Sequence, residues 1–488
     1  MGSKTRLSSV ALNLVATLEK EIDVEQNVSR AILLAEWLAR FLFTNYCGIY
    51  TFNRVERALV SRFEKLDYSG VRSPVLHIAS ELYAHGGHTR LMKNLINGME
   101  ATLRTTAITR FANRNEIAAL LGIDADQVHV FAHNDEVEKV VALASYFIKF
   151  ERLVLHLHPD DVTAAVALAL AKKSYPKIKV FFVNHSDHTF SVAIGAADRI
   201  LELSAYGLSL AKERGGENRS SFIGIPIAPS IEAHSVRQKK LILTGGSAYK
   251  FKPFGKPNLA DAFARLLAAD PGLSVIAIGP RARDHWWWAL KLSYPRRFRT
   301  MARLPYQDYL RLLENCALYV DSHPITGGTA FTEALMGGCT VSGRHGGPNG
   351  YGLADALRQD GQHAFVAHCQ AVLAEDETAL AEQNRVRTHA LYFHALGAVQ
   401  GRFRSTLFGD VLCPIPLELG KAKFDYYFRS SWLAAGTLTA VGFRSRTQIN
   451  LLPHLLSLMI RAGVGPCFVV GTLMRAAATT LRNLRTSQ

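Results

Sequence analysis

From Ser73 onward, short apolar runs alternate with longer stretches of helical periodicity. PVLHIAS (74–80) precedes a glycine-containing loop and TRLMKNLINGM (89–99), RLVLHLH (152–158) precedes VTAAVALALAKK (162–173), and IKVFFVNH (178–185) leads through a polar loop to RILELS (199–204). Strand-like runs answered by helix-like ones predict a parallel sheet with helices on both faces. After IGIPI (223–227) and the polar EAHSVRQKK (232–240), the series restarts. LILTGG (241–246), a helix near 258–267, LSVIAIG (273–279), a helix near 307–314, ALYVDS (317–322), the helix-like AFTEALMGG (330–338) and CTVSG (339–343) follow in order. Two doubly wound halves joined near residue 235 place a ligand cleft between them, because ligands in such sheets sit at the carboxyl ends of the strands.

Ahead of these halves, Val28, Ile32, Leu33, Trp37, Leu38, Phe41 and Leu42 recur at helical spacing, so residues 1–70 read as a helical appendage without chemistry. The division expected is 1–70 helical, 71–235 the first α/β domain, 236–400 the second, and 401–488 a basic, apolar helical tail. The N-terminal apolar run meets Glu19, Lys20 and Glu21 and reads as an amphipathic helix, not a signal peptide.

Charge sharpens this picture. The chain of 488 residues carries 56 Lys+Arg against 41 Asp+Glu, a net +15. The excess concentrates between Arg281 and Leu304 and between Lys421 and Gln488, leaving the rest nearly neutral. No nucleic-acid reading motif accompanies it, so phosphate-rich small molecules or an anionic membrane surface are the expected partners, and nucleic acid is not. Six scattered cysteines without a CxxC pair fit reduced thiols in the cytoplasm.

Four loops after predicted strands hold candidate chemistry. In ELYAHGGHTR (81–90), Gly86 and Gly87 let the backbone approach a ligand, and His85 and His88 flank them at a helix mouth, where either could act as general base near neutral pH. In GGSAYKFKPFGK (245–256), Lys250 could neutralise a diphosphate. In 316–343, Thr326, Gly327, Gly328 and Thr329 stand between a strand and a helix, a cradle of N–H groups and hydroxyls for a diphosphate, with Glu333 one turn into the helix as acceptor for a ribose diol. In VNHSDHTF (183–190), His185, Asp187 and His188 would face the cleft beside His156 and His158. So many histidines admit a zinc reading, but their spacings are not those of a closed zinc site, and acceptor binding or sugar positioning is favoured, with no metal.

These motifs together resemble the nucleotide-sugar half of GT-B glycosyltransferases, particularly the O-linked N-acetylglucosamine transferase branch and related bacterial enzymes. Asp321 ending a strand, the loop Thr326–Thr329 and Glu333 occur in the family's order, as do Tyr249-Lys250 after the first strand of the second domain and VLHIASELYAHGGHTRLM in the first. The resemblance covers residues 73–360. It implies two Rossmann-like domains facing a cleft and a metal-independent hexosyl- or N-acetylhexosaminyltransferase without a cofactor. The donor would be a nucleotide diphosphate sugar, a UDP-sugar foremost, and the acceptor a glycan or lipid-linked hydroxyl in polysaccharide biosynthesis. Lys250 and the loop would hold the donor diphosphate, Glu333 the ribose, and Gly86, Gly87, His185, Asp187, His188 and Asp321 would position acceptor or sugar. Ala330 replaces the family's second loop threonine, and Ile325 stands where retaining members carry a second glutamate, which favours inversion. The tetratricopeptide array of the animal enzyme is absent. A sugar-nucleotide epimerase on the same frame and a non-catalytic membrane-surface protein are the alternatives.

The tail adds one expectation. Residues 430–443, 447–460 and 462–474 contain no Asp, Glu, Lys or Arg and are punctuated by arginines. Each is too short to span a bilayer, which favours helices lying in an anionic headgroup region over helices buried on the core, and peripheral attachment through 421–488.

Overall fold

The computed structural model describes residues 2–83, 87–227, 238–253, 257–302, 304–346, 352–414 and 436–486. His85 and Gly86 therefore lie outside the described residues, as does 421–435 of the tail.

Seven strands form the first sheet: β1 (Ser73–Ala79), β2 (Thr106–Ile108), β3 (Val128–Val130), β4 (Phe150–His156), β5 (Lys179–Val183), β6 (Arg199–Glu202) and β7 (Ser220–Phe222). Every pairing is parallel, in the order β3-β2-β1-β4-β5-β6-β7. The second sheet repeats this with β8 (Gln238–Gly245), β9 (Ser274–Ile278), β10 (Phe298–Met301), β11 (Cys316–Val320), β12 (Val341–Arg344) and β13 (Arg358–Gln359), ordered β10-β9-β8-β11-β12-β13. Helices cover both faces, which is why the central strands read as unbroken apolar runs; in β4, Leu153, Val154, Leu155 and His156 are all buried. In each sheet the order reverses beside the first strand, between β1 and β4 and between β8 and β11. The loops leaving those four strands flank the crevices where such folds bind ligands, and they include three of the four loops singled out from sequence.

The terminal segments are helical as expected, but they are not appendages. Helices Gly2–Val24, Val28–Thr44 and Asn53–Val60 share one core with the first sheet and with tail helices Leu452–Arg461 and Pro466–Thr486. Trp37 and Phe41 are completely buried there, together with Leu455, Leu458 and Met459. The tail therefore has a face buried on the core, which the sequence reading had ranked second, because the N-terminal helices supply an apolar surface that composition alone does not reveal.

The chain passes between the domains twice, at one place. Leaving β7 it runs through Ile223–Ile227, and after the helix Glu377–His394 it returns, so that Ile227 and Ala395 form a parallel β-bridge. Nδ1 of His394 lies 3.3 Å from the Ile225 carbonyl, and Arg402 Nε donates to that of Ile223 at 3.0 Å. The helix Leu396–Gly409 then packs on the first domain, where Gln400 donates to the Asn94 carbonyl at 2.6 Å and Arg404 to that of Gly98 at 2.7 Å.

Candidate active site

A cleft of about 1130 Å³ lies at the carboxyl ends of β8, β9 and β10 and reaches across to the first domain. Gly245–Tyr249, Gly279, Ala302, Leu304, Tyr306, Tyr309 and Ala330 form its walls, and Gly87 and Arg90 close it from the opposite domain. Its charged lining is Arg90, Lys252, Arg281, Arg283 and Asp284. Asp284 turns its carboxylate to the backbone N–H of Arg281 at 2.6 Å, so the cleft is cationic and suited to an anionic ligand. The basic stretch after β9 thus supplies Arg281 and Arg283 to the cleft lining. Its three tryptophans diverge: Trp286 lines the cleft, Trp287 is buried among Phe251, Phe263 and Phe298, and Trp288 is 52% exposed.

The glycine-threonine loop is braced from beneath. Asp321, buried at the end of β11, accepts from the backbone N–H groups of Ser322 at 2.8 Å and Gly327 at 3.0 Å and is ion-paired with Arg358. Arg358 is itself held by Asp355 at 2.9 Å and donates to the Gly327 carbonyl at 3.1 Å. Burial pushes the Asp321 carboxyl up, opposed by the charges of Arg358 and Lys250. Asp321 therefore shapes the loop, and its carboxylate is occupied. Gly328 precedes the helix Thr329–Met336, whose first turn directs its free N–H groups at the loop. Lys250 extends from the short helix Ala248–Phe251 with its ammonium 3.5 Å from the Thr326 carbonyl, and burial pulls its pKa down. Thr326 and Glu333 are likewise buried.

Glu333 has partners that the sequence did not disclose. One carboxylate oxygen accepts from Tyr306 Oη at 2.5 Å and from Arg90 Nη1 at 3.0 Å, and the Arg90 guanidinium lies 4.8 Å from the centre of the Tyr306 ring. Arg90 belongs to the helix Gly87–Ile96 of the first domain, so this ion pair spans the cleft. At the same point Gly87 faces Thr329: a Cβ added there would lie 3.7 Å from Thr329 Oγ1. The only prior hint of Arg90 was its place one turn into the helix after the glycine loop.

On the first domain the histidines meet in a chain. His77 and His156 approach at 3.4 Å, His156 and His185 at 3.1 Å, and the His185 ring packs edge-on against His88 with centroids 4.1 Å apart. Nε2 of His88 lies 3.2 Å from the His156 carbonyl; a carbonyl only accepts, so His88 carries its proton there and leaves Nδ1 with a free lone pair. Burial pulls His88 down to about 4 and His77 to about 3, and holds His156 and His185 well below the ordinary range. Burial thus shifts His88 below the near-neutral range expected of a free imidazole. Among the described residues, no group of three or more His, Cys, Asp or Glu side chains is placed to hold a metal ion. Asp187 and His188 have other partners: Asp187 accepts from Ser204 Oγ, and His188 Nδ1 lies 3.3 Å from the Asp187 carboxylate.

A charge cluster missed in the sequence stands beyond β4. Asp160 binds Arg40 of the second helix at 2.9 Å, Arg110 after β2 at 3.1 Å, Arg444 of the tail at 2.9 Å and His158 at 2.9 Å. Burial opposes its ionisation, but the His158 hydrogen bond and the three guanidinium charges hold its pKa well below the ordinary value. Glu81 completes the cluster with Arg110 at 2.7 Å and Arg444 at 2.9 Å.

No protein-family model matches the sequence, and no curated protein does. Solved structures match by shape. Anabaena Alr3699/HepE in complex with UDP superposes with a TM-score of 0.53 at 13% identity over 69% of this chain and 100% of that one. Its complex with UDP-glucose gives 0.52 at the same identity over 69% and 99%. A mutant of Thermobaculum terrenum O-GlcNAc transferase gives 0.50 at 11% identity over 87% of this chain and 83% of that one. At these identities the likeness establishes architecture: two parallel-sheet domains facing a cleft, the GT-B fold.

Proposed function

From a GT-B fold with a cationic cleft, we infer that the protein is a glycosyltransferase that moves a sugar from a nucleotide diphosphate sugar to an acceptor hydroxyl. The observation that supports this reading is the cationic cleft, whose lining residues Tyr306 and Arg90 hold Glu333 in the helix Thr329–Met336, while Lys250 reaches the Thr326 carbonyl of the loop that leads into that helix. In the reaction the acceptor oxygen bonds to the anomeric carbon while the bond from that carbon to the diphosphate breaks, and the electron pair leaves with the diphosphate. Preorganised N–H groups and ammonium charge stabilise that leaving group more than the intact donor, which lowers the barrier. Glu333 accepts hydrogen bonds from the ribose, and the free Nδ1 of His88 receives the acceptor proton, with His85 as the other candidate base. HepE was solved with UDP and with UDP-glucose, which makes UDP and UDP-sugars the first probes for the donor.

Calorimetry with UDP, and transfer or hydrolysis of UDP-sugars by the parent, Lys250→Ala and Glu333→Ala, test the assignment. The expected result is UDP binding by the parent and a loss of turnover of about a hundredfold or more in Lys250→Ala, the scale seen when one oxyanion donor is removed. Undiminished turnover in both variants would overturn it. An epimerised nucleotide sugar formed without acceptor would replace transfer by epimerisation on the same site.

A further inference from the structure

The tail helix Pro466–Thr486 has two unlike sides. Phe468, Thr472, Ala476 and Thr479, spaced by three or four residues, are buried. Opposite them Val470, Leu473, Met474 and Leu481 are 53%, 41%, 70% and 62% exposed, and Ile460, near the end of the preceding helix Leu452–Arg461, is 70% exposed. Cys467 is exposed as well; the spacing 467, 470, 474, 481 keeps these side chains on one stripe of a helix. Large exposed aliphatic side chains in a row are not what a free surface selects.

The charges that the tail itself carries beside the stripe are of one sign. Arg461 is 56% exposed and Arg475 is exposed, Arg482 and Arg485 follow in the sequence, and no Asp or Glu occurs between Gly436 and Gln488. Glu21 of the first helix pairs with His454 at 2.9 Å and approaches Arg461 at 3.7 Å, offsetting one of these charges. Among the described residues, no helix is long and apolar enough to cross a membrane.

We propose that this face seats on an anionic lipid surface, with Val470, Met474 and Leu481 entering the acyl boundary and the arginines meeting headgroup phosphates. An apolar stripe flanked by cations, on a segment that itself carries no acid, is the composition that binds such an interface. A second copy of the chain is the poorer occupant, since an isologous contact would set arginines against arginines, with Glu21 already engaged by His454 and Arg461. The inference stands independently of the transfer reaction.

The full-length protein is sedimented with phosphatidylcholine vesicles and with the same vesicles doped with phosphatidylglycerol, at low and high salt. Binding is expected only to the doped vesicles, weakened by salt, about fivefold weaker in Arg475→Ala, and lost in the double variant Val470→Asp, Met474→Asp. Because these side chains are exposed, the melting temperature should stay within a few degrees of the parent; Val470→Ser, Met474→Ser repeats the test without added charge. Equal binding to pure phosphatidylcholine, unchanged binding by both double variants, or a dimer in analytical sedimentation that the double variants dissolve without any vesicle binding would overturn it.

Discussion

His88 illustrates how burial resets a residue's chemistry. A free imidazole titrates near 6.5, but desolvation takes this one to about 4. If it accepts the acceptor's proton, kcat/KM stays level as pH falls from 7 to about 5, with its acid limb near 4; a limb at 6.5 would transfer the role to another group. Glu202 shows the opposite shift. Burial raises it to about 7, against the hydrogen bond from Asn184 at 2.7 Å. Its folded pKa exceeds its unfolded one, so the folded chain holds the extra proton between about 4.5 and 7 and loses stability as pH rises through that window. Glu202→Gln removes this penalty; its melting temperature relative to the parent should rise from pH 5 to pH 8, and an unchanging difference would refute the assignment. Arg90 bears on a third quantity, the contact between the two domains. Its side chain is 39% exposed, so the pair with Glu333 is worth less than about 1 kcal/mol. Arg90→Ala should still widen the unliganded molecule detectably in small-angle scattering.

Between elements, close approach governs. Gly279, leaving β9, has φ of 109°, and a Cβ there would lie 1.7 Å from the Gly246 carbonyl oxygen in the loop leaving β8. Neither backbone can give way without moving the wall of the cleft. Gly279→Ala should cost at least about 2 kcal/mol, seen as a lower melting temperature, and should weaken UDP binding in parallel. Such elements were unevenly legible in the sequence. The long central strands β1, β4, β5, β8, β9 and β11 announced themselves as apolar runs, and the glycine-threonine loop followed from its place between strand and helix. β2, β3, β7 and β13 span only two or three residues, too few for any period to register. Arg358, 37 residues from Asp321, and Arg90, 243 from Glu333, meet their acids only through the fold. His88, His156 and His185 were visible in HxH and HxxH strings, but His77 was not, and its contact with His156 follows from the β1–β4 register that sets Ala79 beside His156.

At the scale of the molecule, Asp160 joins three remote pieces of chain. Arg40, Arg110 and Arg444 come from the N-terminal helices, the first sheet and the tail, so the termini are fastened beside the crevice of the first domain. Asp160→Ala would leave guanidinium groups without their acid and should destabilise the fold by about 3–5 kcal/mol in denaturant titration, with a loss of cooperativity if the tail detaches separately. The shared core also means that truncating the tail would strip apolar contacts from the first domain, so point variants are the cleaner experiment. The paired crossings at Ile227 and Ala395 constrain the molecule differently. Two strands of chain bound side by side, with Arg402 gripping the Ile223 and Phe393 carbonyls, resist twist and shear but permit bending about the line they share. If the cleft opens, the line through Ile227 and Ala395 is the spine on which it would swing, and Arg90 and Glu333 would close again in the same register.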